Sequence, residues 1–560
     1  MENILMLLAS FLCGCCALLY FTPIPPKKLN KVLHILWYLT VALVTFTTVL
    51  MITLQVFSRF EYQYVYHHTS RNTALIYKIS SLWSGQEGSF LLWAFLLCIM
   101  GLFVLKIKGQ KSTRVFGIYS SISFCIFLMC IISKPFLKME ITPSDGLGLT
   151  QALKDPWMIV HPPLVFIAYS AMAILFSLSI TVTKDSNKII NSHILTWLRI
   201  SWVFLGLGIL SGSIWAYRAL GWGGYWAWDP IENTALVPWL VLTGYLHNKD
   251  YNHRSVCIVP FSIACFGVFL ARSGILKDQS AHAYTDGNII ISGIILCLFM
   301  GAFLYLISTR IRKVNVTTKK KGFSLHDKRL IIYSINGYAA LIFIGTVSPI
   351  ILKINTPIIY YSAISIAFAS IYSILLLVWD LEWLKRRNIL MLVVSTIFVM
   401  GMIVLSGSIK FWWLLLLWIC LMPPSLWLVS GFRTKSLNYY FSHLGMVLLI
   451  LGTIGSSSLG KEASVITDAD SNHIVIYGKE ISLTELGAKD MLILTFPTMD
   501  IVVQTSKIIT LSEGRYFIPY VTKPLIILFW IGGFVILASP GMRALFLRVK
   551  IFKHTNHDID

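Results

Sequence analysis

Long uncharged apolar stretches recur through the 560-residue chain, and they leave it few possible folds. A bilayer's hydrocarbon core is about 30 Å thick, and a helix of roughly 20 apolar residues crosses it while satisfying its own backbone hydrogen bonds. About fifteen such segments are present, centred near residues 12, 44, 97, 124, 170, 205, 241, 264, 298, 341, 367, 397, 419, 450 and 534. Hydrophobic residues make up 56% of the chain and charged residues only 13%, against about a quarter charged in soluble domains. The sequence therefore predicts an all-α polytopic membrane protein.

A net charge of +21 would point to nucleic acid in a soluble protein, but here the distribution has a simpler cause. If the N-terminus lies outside, alternate connections carry the basic clusters: Lys27, Lys28 and Lys31, then Lys106 to Arg114, then Lys184 and Lys188, then Lys249 and Arg254. The series continues through Arg310 to Arg329, Lys385 to Arg387, Arg433 with Lys435, and Arg543 to Lys553. This is the positive-inside pattern, with the C-terminus inside; it implies contact with membrane lipid and no nucleic-acid partner. Met1 to Tyr20 lacks the basic start of a signal peptide and carries Glu2, so it reads as a retained helix. The ten cysteines include no CxxC pair, and neither a disulfide framework nor a zinc site is indicated.

One soluble module is expected. Residues 460–522 alternate apolar and polar in "HIVIYGKEISL" and "MDIVVQTSKIITL", which is strand periodicity. The chain thus divides into a membrane core over 1–459, a small β-rich outer module over 460–522, and a last helix with an inner tail over 523–560.

The stretch "WGGYWAWDPIENTALVPWL", Trp222 to Leu240, gathers tryptophans beside acids in the core. Glycines break the preceding helix, and Asp229, Pro230 and Glu232 read as N-cap, N1 and N3 of the next. Capping alone would account for both acids. Tryptophan also gathers at membrane interfaces, but Trp226 and Trp228, two apart on an extended segment, make an aromatic shelf with Trp222 that suits a flat conjugated ligand.

If that ligand carries a metal, axial ligands are needed, and four of the thirteen histidines stand out. His161 opens "HPPLVF", where two prolines predict an extended entry into the fifth span. His282 sits in the outer connection "RSGILKDQSAHAYTDG". Both fall level with the tryptophan loop, and two imidazoles flanking the shelf would give bis-His haem ligation. His247 lies about 26 Å along its helix from Pro230 at 1.5 Å per residue, and the same rise places His443 equally far from Gly460. Ionisable groups inside spans mark functional sites, although both histidines also lie near helix ends and could simply reach the interface.

These residues carry a resemblance. "WGGYWAWDPIENTALVPWL" resembles the tryptophan-rich WWD signature of the haem-handling proteins of cytochrome c biogenesis. "LWSGQEGSFLLW", "HPPLVFIAY", "ARSGILKDQSAHA" and "SHLGMVLLILG" are similar to the CcmF family of haem lyases in particular. The resemblance implies a cytochrome c synthetase of the bacterial inner membrane, active on the periplasmic side within a complex. It would take haem from a CcmE-type chaperone and join the haem vinyl groups to the CxxCH thiols of apocytochrome c. CcmH/CcmI-type subunits would handle client and thiols. It implies His161 and His282 as axial ligands of haem at the loop formed by Trp222, Trp226, Trp228 and Asp229. His247 and His443 would be ligands of a stable buried haem b, and Arg218 and Arg272 are candidates for the propionates, or else arginines reaching the interface.

Three other readings compete. An oligosaccharyltransferase would need a carboxylate-rich first outer loop, and Phe57 to Tyr77 contains only Glu61. A haem-binding or export protein without ligation activity would show the same shelf and ligands. A NrfE-type paralogue, a lyase for dedicated nitrite reductases, differs in the client motif it matures.

Overall fold

The computed structural model describes residues 2–19, 26–107, 112–181, 188–219, 224–247, 258–277, 280, 282, 290–291, 293–298, 301, 328–353, 356–381, 421, 423–424, 427, 436–468, 473–482, 486, 491–511 and 515–539. Among them, nine helices are long and apolar enough to cross a membrane. The chain is a polytopic, predominantly helical membrane protein with one small β-rich module, as the hydropathy pattern predicts. The span expected near 397 lies outside the described residues, and so does most of those near 419 and 298.

The chain divides into two compact units, each considered by itself. The first comprises residues 1–211, 228–321 and 335–357. Its longer helices are α1 (Glu2–Leu19), α2 (Pro26–Val56), α5 (Gln86–Leu105), α6 (Ser112–Ser133), α7 (Pro156–Thr181), most of α8 (Lys188–Ala219), α9 (Pro230–Leu246), α10 (Ile258–Arg272) and most of α11 (Lys328–Leu352). Helix α1 packs on α2 and α6, α5 on α2, α6 and α7, and α10 on α7 and α9. Without a hydrophobic drive between helices in lipid, close approach through small residues matters most. Gly101 of α5 leaves room for the fully buried Trp37 of α2, whose indole N–H donates to the Cys98 carbonyl at 3.1 Å. Helix α7 is the most deeply buried candidate span among the described residues.

Two short helices, α3 (Gln63–His68) and α4 (Leu75–Ser80), lead into a 3₁₀ turn at Ser81–Trp83. Backbone bonds tie this region to the α6–α7 connection: Gln63 N to Leu137 O, Met139 N to Glu61 O, Leu147 N to Tyr66 O and Gly148 N to Thr69 O. The two connections form one cap.

The second unit comprises residues 212–227, 322–334 and 358–560. It contains α12 (Ile358–Leu381), α13 (Leu437–Ser458), the β-rich module and α14 (Ile526–Ser539). The strands are β1 (Glu462–Asp468), β2 (His473–Ile476), β3 (Lys479–Ser482), β4 (Leu492–Thr495), β5 (Met499–Val503), β6 (Ile509–Leu511) and β7 (Arg515–Pro524). "HIVIYGKEIS" folds as the β2–β3 hairpin, and its turn residues Tyr477 and Gly478 both have positive φ, the geometry that matches strand twist in two-residue turns. The main sheet is antiparallel in the order β1-β7-β5-β4, with β6 also paired to β7. Ile474, Ile481, Leu494, Ile501, Val503 and Ile518 form its core. Tyr217, Met491, Val502 and Ile526 bury together with Tyr225 and Phe529 beside them, and Tyr217 donates to buried Asp500 at 3.1 Å.

Candidate functional site

His161 sits in the second turn of α7. The expected extended entry is not what forms: the helix starts at Pro156 and runs through Pro162 and Pro163. Asp155 caps it, accepting from Trp157 N at 2.9 Å, and proline at N1 needs no donor. Each internal proline denies a hydrogen bond to the carbonyl four residues back. For Pro162 that carbonyl is Met158, and it accepts the Trp83 indole N–H at 3.0 Å instead. The His161 ring donates from Nδ1 to the Gly208 carbonyl of α8 at 2.8 Å. A Cβ at Gly208 would meet Val165 Cγ2 at 2.8 Å, so the missing side chain is what lets α8 approach α7.

Asp229 does more than cap α9. Its Oδ1 accepts from Ile231 N at 2.7 Å, while its Oδ2 lies 3.5 Å from Nδ1 of His282. Burial works against both charges, but the His282 partnership prevails: the Asp229 carboxyl is held below its ordinary value and the His282 imidazole above its own, with Glu232 adding to the latter. Ser280 Oγ accepts from the His282 backbone and sits beside Asp229 as well. His161 and His282 lie within electrostatic range of one another. The structure thus brings His161, His282 and Asp229 into one neighbourhood.

The tryptophan loop departs from the extended segment expected. Trp228 has φ of 57°, a left-handed conformation rare for a bulky residue, so strand alternation does not carry through it. The local cause is the turn into α9: the Trp228 carbonyl accepts from Asn233 Nδ2 at 3.1 Å, which also reaches Thr346 at 3.0 Å. Trp226 is half-buried, and Trp222 lies outside the described residues.

His247 forms the C-cap of α9 and donates from Nδ1 to the Thr243 carbonyl at 2.9 Å. The Thr243 hydroxyl accepts the Trp202 indole N–H at 2.7 Å, and Trp202 stacks on Trp239 with centroids 5.3 Å apart. In the second unit, His443 donates from Nδ1 to the Tyr439 carbonyl at 2.7 Å, against the Tyr439 ring at 4.2 Å and parallel to Tyr372. A backbone bond of this kind also occurs at exposed His34, so burial is what sets the others apart. In all three, Nδ1 carries the proton and Nε2 the ring's lone pair.

Arg218, in the last turn of α8, is exposed. Arg272 is buried at the end of α10, its guanidinium 5.4 Å from the centre of the Phe90 ring and within electrostatic range of Glu87. The sequence reading missed Glu87, Ser280, the Gly208 carbonyl and the bond from Trp83. The missing donor at Pro162 is a signal that could have pointed to the last of these.

Among the described residues, no three His, Cys, Asp or Glu side chains converge as a metal-ion site. Haem iron asks the protein for only two axial nitrogens, so the donor set of His161 and His282 fits haem.

Residues 83–276 match the cytochrome C assembly protein family. The chain is 33% identical over 292 residues to the cytochrome c-type biogenesis protein CycK of Bradyrhizobium diazoefficiens, covering 49% of this chain and 43% of that one. It is 32% identical over 322 residues to CcmF of Pseudomonas aeruginosa, covering 53% and 48%. With NrfE of Haemophilus influenzae it is 27% identical over 498 residues, covering 78% and 76%. The matched region thus spans about half the length of the CycK and CcmF relatives. A solved structure titled Cytochrome c Heme Lyase CcmF shares the fold, with a TM-score of 0.74 at 18% identity over 96% of each chain. The chain is thus similar to cytochrome c-type biogenesis proteins over about half its length, and it shares the fold of a solved CcmF.

Proposed function

We propose that this chain is the haem-handling subunit of a cytochrome c haem lyase. Haem is its substrate at the tryptophan loop, received from a CcmE-type chaperone and passed to apocytochrome c at the periplasmic face of a bacterial inner membrane. The product bonds are thioethers between haem vinyl carbons and the two CxxCH sulfurs. The observation that carries this reading is the pairing of His161 and His282, whose Nδ1 atoms face Gly208 O and Asp229 respectively. Each imidazole is oriented through its far nitrogen, the arrangement that fixes a metal-binding histidine.

The residues then have distinct tasks. His161 and His282 would hold the haem iron through their second ring nitrogens, and firm but reversible binding would suit a haem that is passed on to a client. Trp222, Trp226 and Trp228 supply aromatic surface for the porphyrin, and Arg272, with Arg218 as the exposed candidate, supplies a cation for the propionates. Positioning outweighs acid–base chemistry here. His247 and His443 would be the ligands of a haem b, each oriented by its own partly buried Nδ1–carbonyl bond. CcmH/CcmI-type subunits complete the machinery.

A pyridine haemochrome assay with optical spectra on the detergent-purified chain tests this. His161→Ala and His282→Ala are expected to abolish loop haem and spare haem b, while His247→Ala and His443→Ala remove haem b. Wild type that takes up no haem from haem-replete cells would overturn the proposal. A NrfE-type role is the second reading, favoured by the 76% coverage of that relative. Maturation of a variant client motif instead of CxxCH would establish it.

A further inference from the structure

Trp83 belongs to the "LWSGQEGSFLLW" stretch, to which the reaction above gives no task. Its turn is braced from several sides. The Tyr64 hydroxyl contacts the carbonyls of Ser81 and Leu82 at 2.9 Å each and accepts from Gly85 N at 3.1 Å. Ser89 Oγ donates to the Trp83 carbonyl at 3.2 Å. Any Cβ at Gly85 or Gly88 would overlap Tyr64, so both glycines let the turn close over that ring. A turn so fixed aims the Trp83 indole N–H at Met158 O, the carbonyl that Pro162 leaves without its helix donor. Met158 lies three residues before His161, which reaches Gly208 O.

We infer that Trp83 is a positioning residue for His161: its indole N–H replaces the donor Pro162 withholds, and so holds the start of α7 in the geometry that presents the imidazole. The inference rests on the reading of His161 as a haem ligand. A proline here opens a carbonyl to a second element, and the second element is the braced turn. The outer cap and the ligand helix are thereby joined by one hydrogen bond at the ligand's own turn.

The test uses the full chain in detergent with ferric haemin as probe. Trp83→Phe keeps an aromatic ring and removes the N–H; Pro162→Ala restores a backbone donor to Met158 O. Trp83→Phe is expected to weaken haemin binding at the loop site about tenfold, the scale of one neutral hydrogen bond, with loss of that site's share of the six-coordinate low-spin spectrum. In the haem-free chain, hydrogen–deuterium exchange across residues 156–165 should quicken. On the Pro162→Ala background the same substitution should change affinity less than about twofold, because the carbonyl keeps its main-chain donor.

Wild-type binding by Trp83→Phe, or an undiminished loss on the Pro162→Ala background, would overturn the inference. If Trp83→Phe alone fails to fold, the double variant decides: folding and binding there support the hydrogen bond, and failure there shows that ring packing was the role. His161→Ala separates the two layers. If it binds haemin normally, the ligand reading fails; if it loses binding while Trp83→Phe does not, only the positioning role fails.

Discussion

Asp229 shows how one side chain can serve fold and site at once. Its two oxygens divide the work, Oδ1 capping α9 and Oδ2 facing His282. Asp229→Asn separates these tasks, because asparagine is as good an N-cap as aspartate but carries no charge. The ion pair has a defined pH window. Asp229 titrates below its ordinary value of 3.8, so its contribution is present above that value and fades as pH falls through the depressed one. His282 titrates above its ordinary 6.5, so its contribution is complete below that value and fades as pH rises through the raised one. The difference in melting temperature between wild type and Asp229→Asn should therefore be widest between about pH 4 and 6.5 and shrink on either side. A difference that stays flat across that range would remove the ion pair from the account. At this scale the sequence revealed residue types better than partners: four histidines and a capping acid were legible, but the Asp229–His282 pairing needs two segments about fifty residues apart to meet, which no local pattern encodes.

Elements in this chain are fitted to one another by what their helices lack. In α13, Gly445 and Gly452 face α14, where Gly532 answers from the other side, and Gly455 meets Pro524 and Leu525 just before it. A Cβ at Gly452 would overlap the Phe529 backbone nitrogen, and backbone cannot rotate away as a side chain tip can. Gly452→Ala should consequently push α14 off α13 and cost about 1–3 kcal/mol, the usual range for overpacking. Because α13 carries His443, the proposed haem b ligand, about two turns earlier, that proposal predicts that the same variant loses haem b before it loses its fold, read as a falling haemochrome yield at temperatures where helicity by circular dichroism is unchanged. Retention of full haem b together with an unchanged melting temperature would show that the helices part without cost. Periodicity made the outer strands legible, since the hairpin at Tyr477–Gly478 is local. It misread "HPPLVF", because proline's usual effect on helices was overridden by a distant indole that satisfies the orphaned carbonyl.

For the whole molecule, hydropathy settles that the chain crosses a membrane many times, while charge distribution alone argues which side is which. The basic clusters fall on alternate connections, and inserting them across a bilayer is costly, so their shared side is expected to be the cytoplasm. The site neighbourhood at the starts of α7 and α9 then faces outward. Thiol labelling reads this directly. Ser144, exposed in the α6–α7 connection, and Lys28, exposed at the start of α2, sit on opposite predicted sides. Of the eight described cysteines only Cys297 is exposed, and labelling of the wild-type chain sets the native background. With a membrane-impermeant maleimide on spheroplasts, Ser144→Cys should label at once and Lys28→Cys only after the membrane is permeabilised. The reverse pattern would put the histidine pair on the cytoplasmic face, where clients destined for the periplasm could not receive haem, and would overturn the orientation and the proposed reaction together.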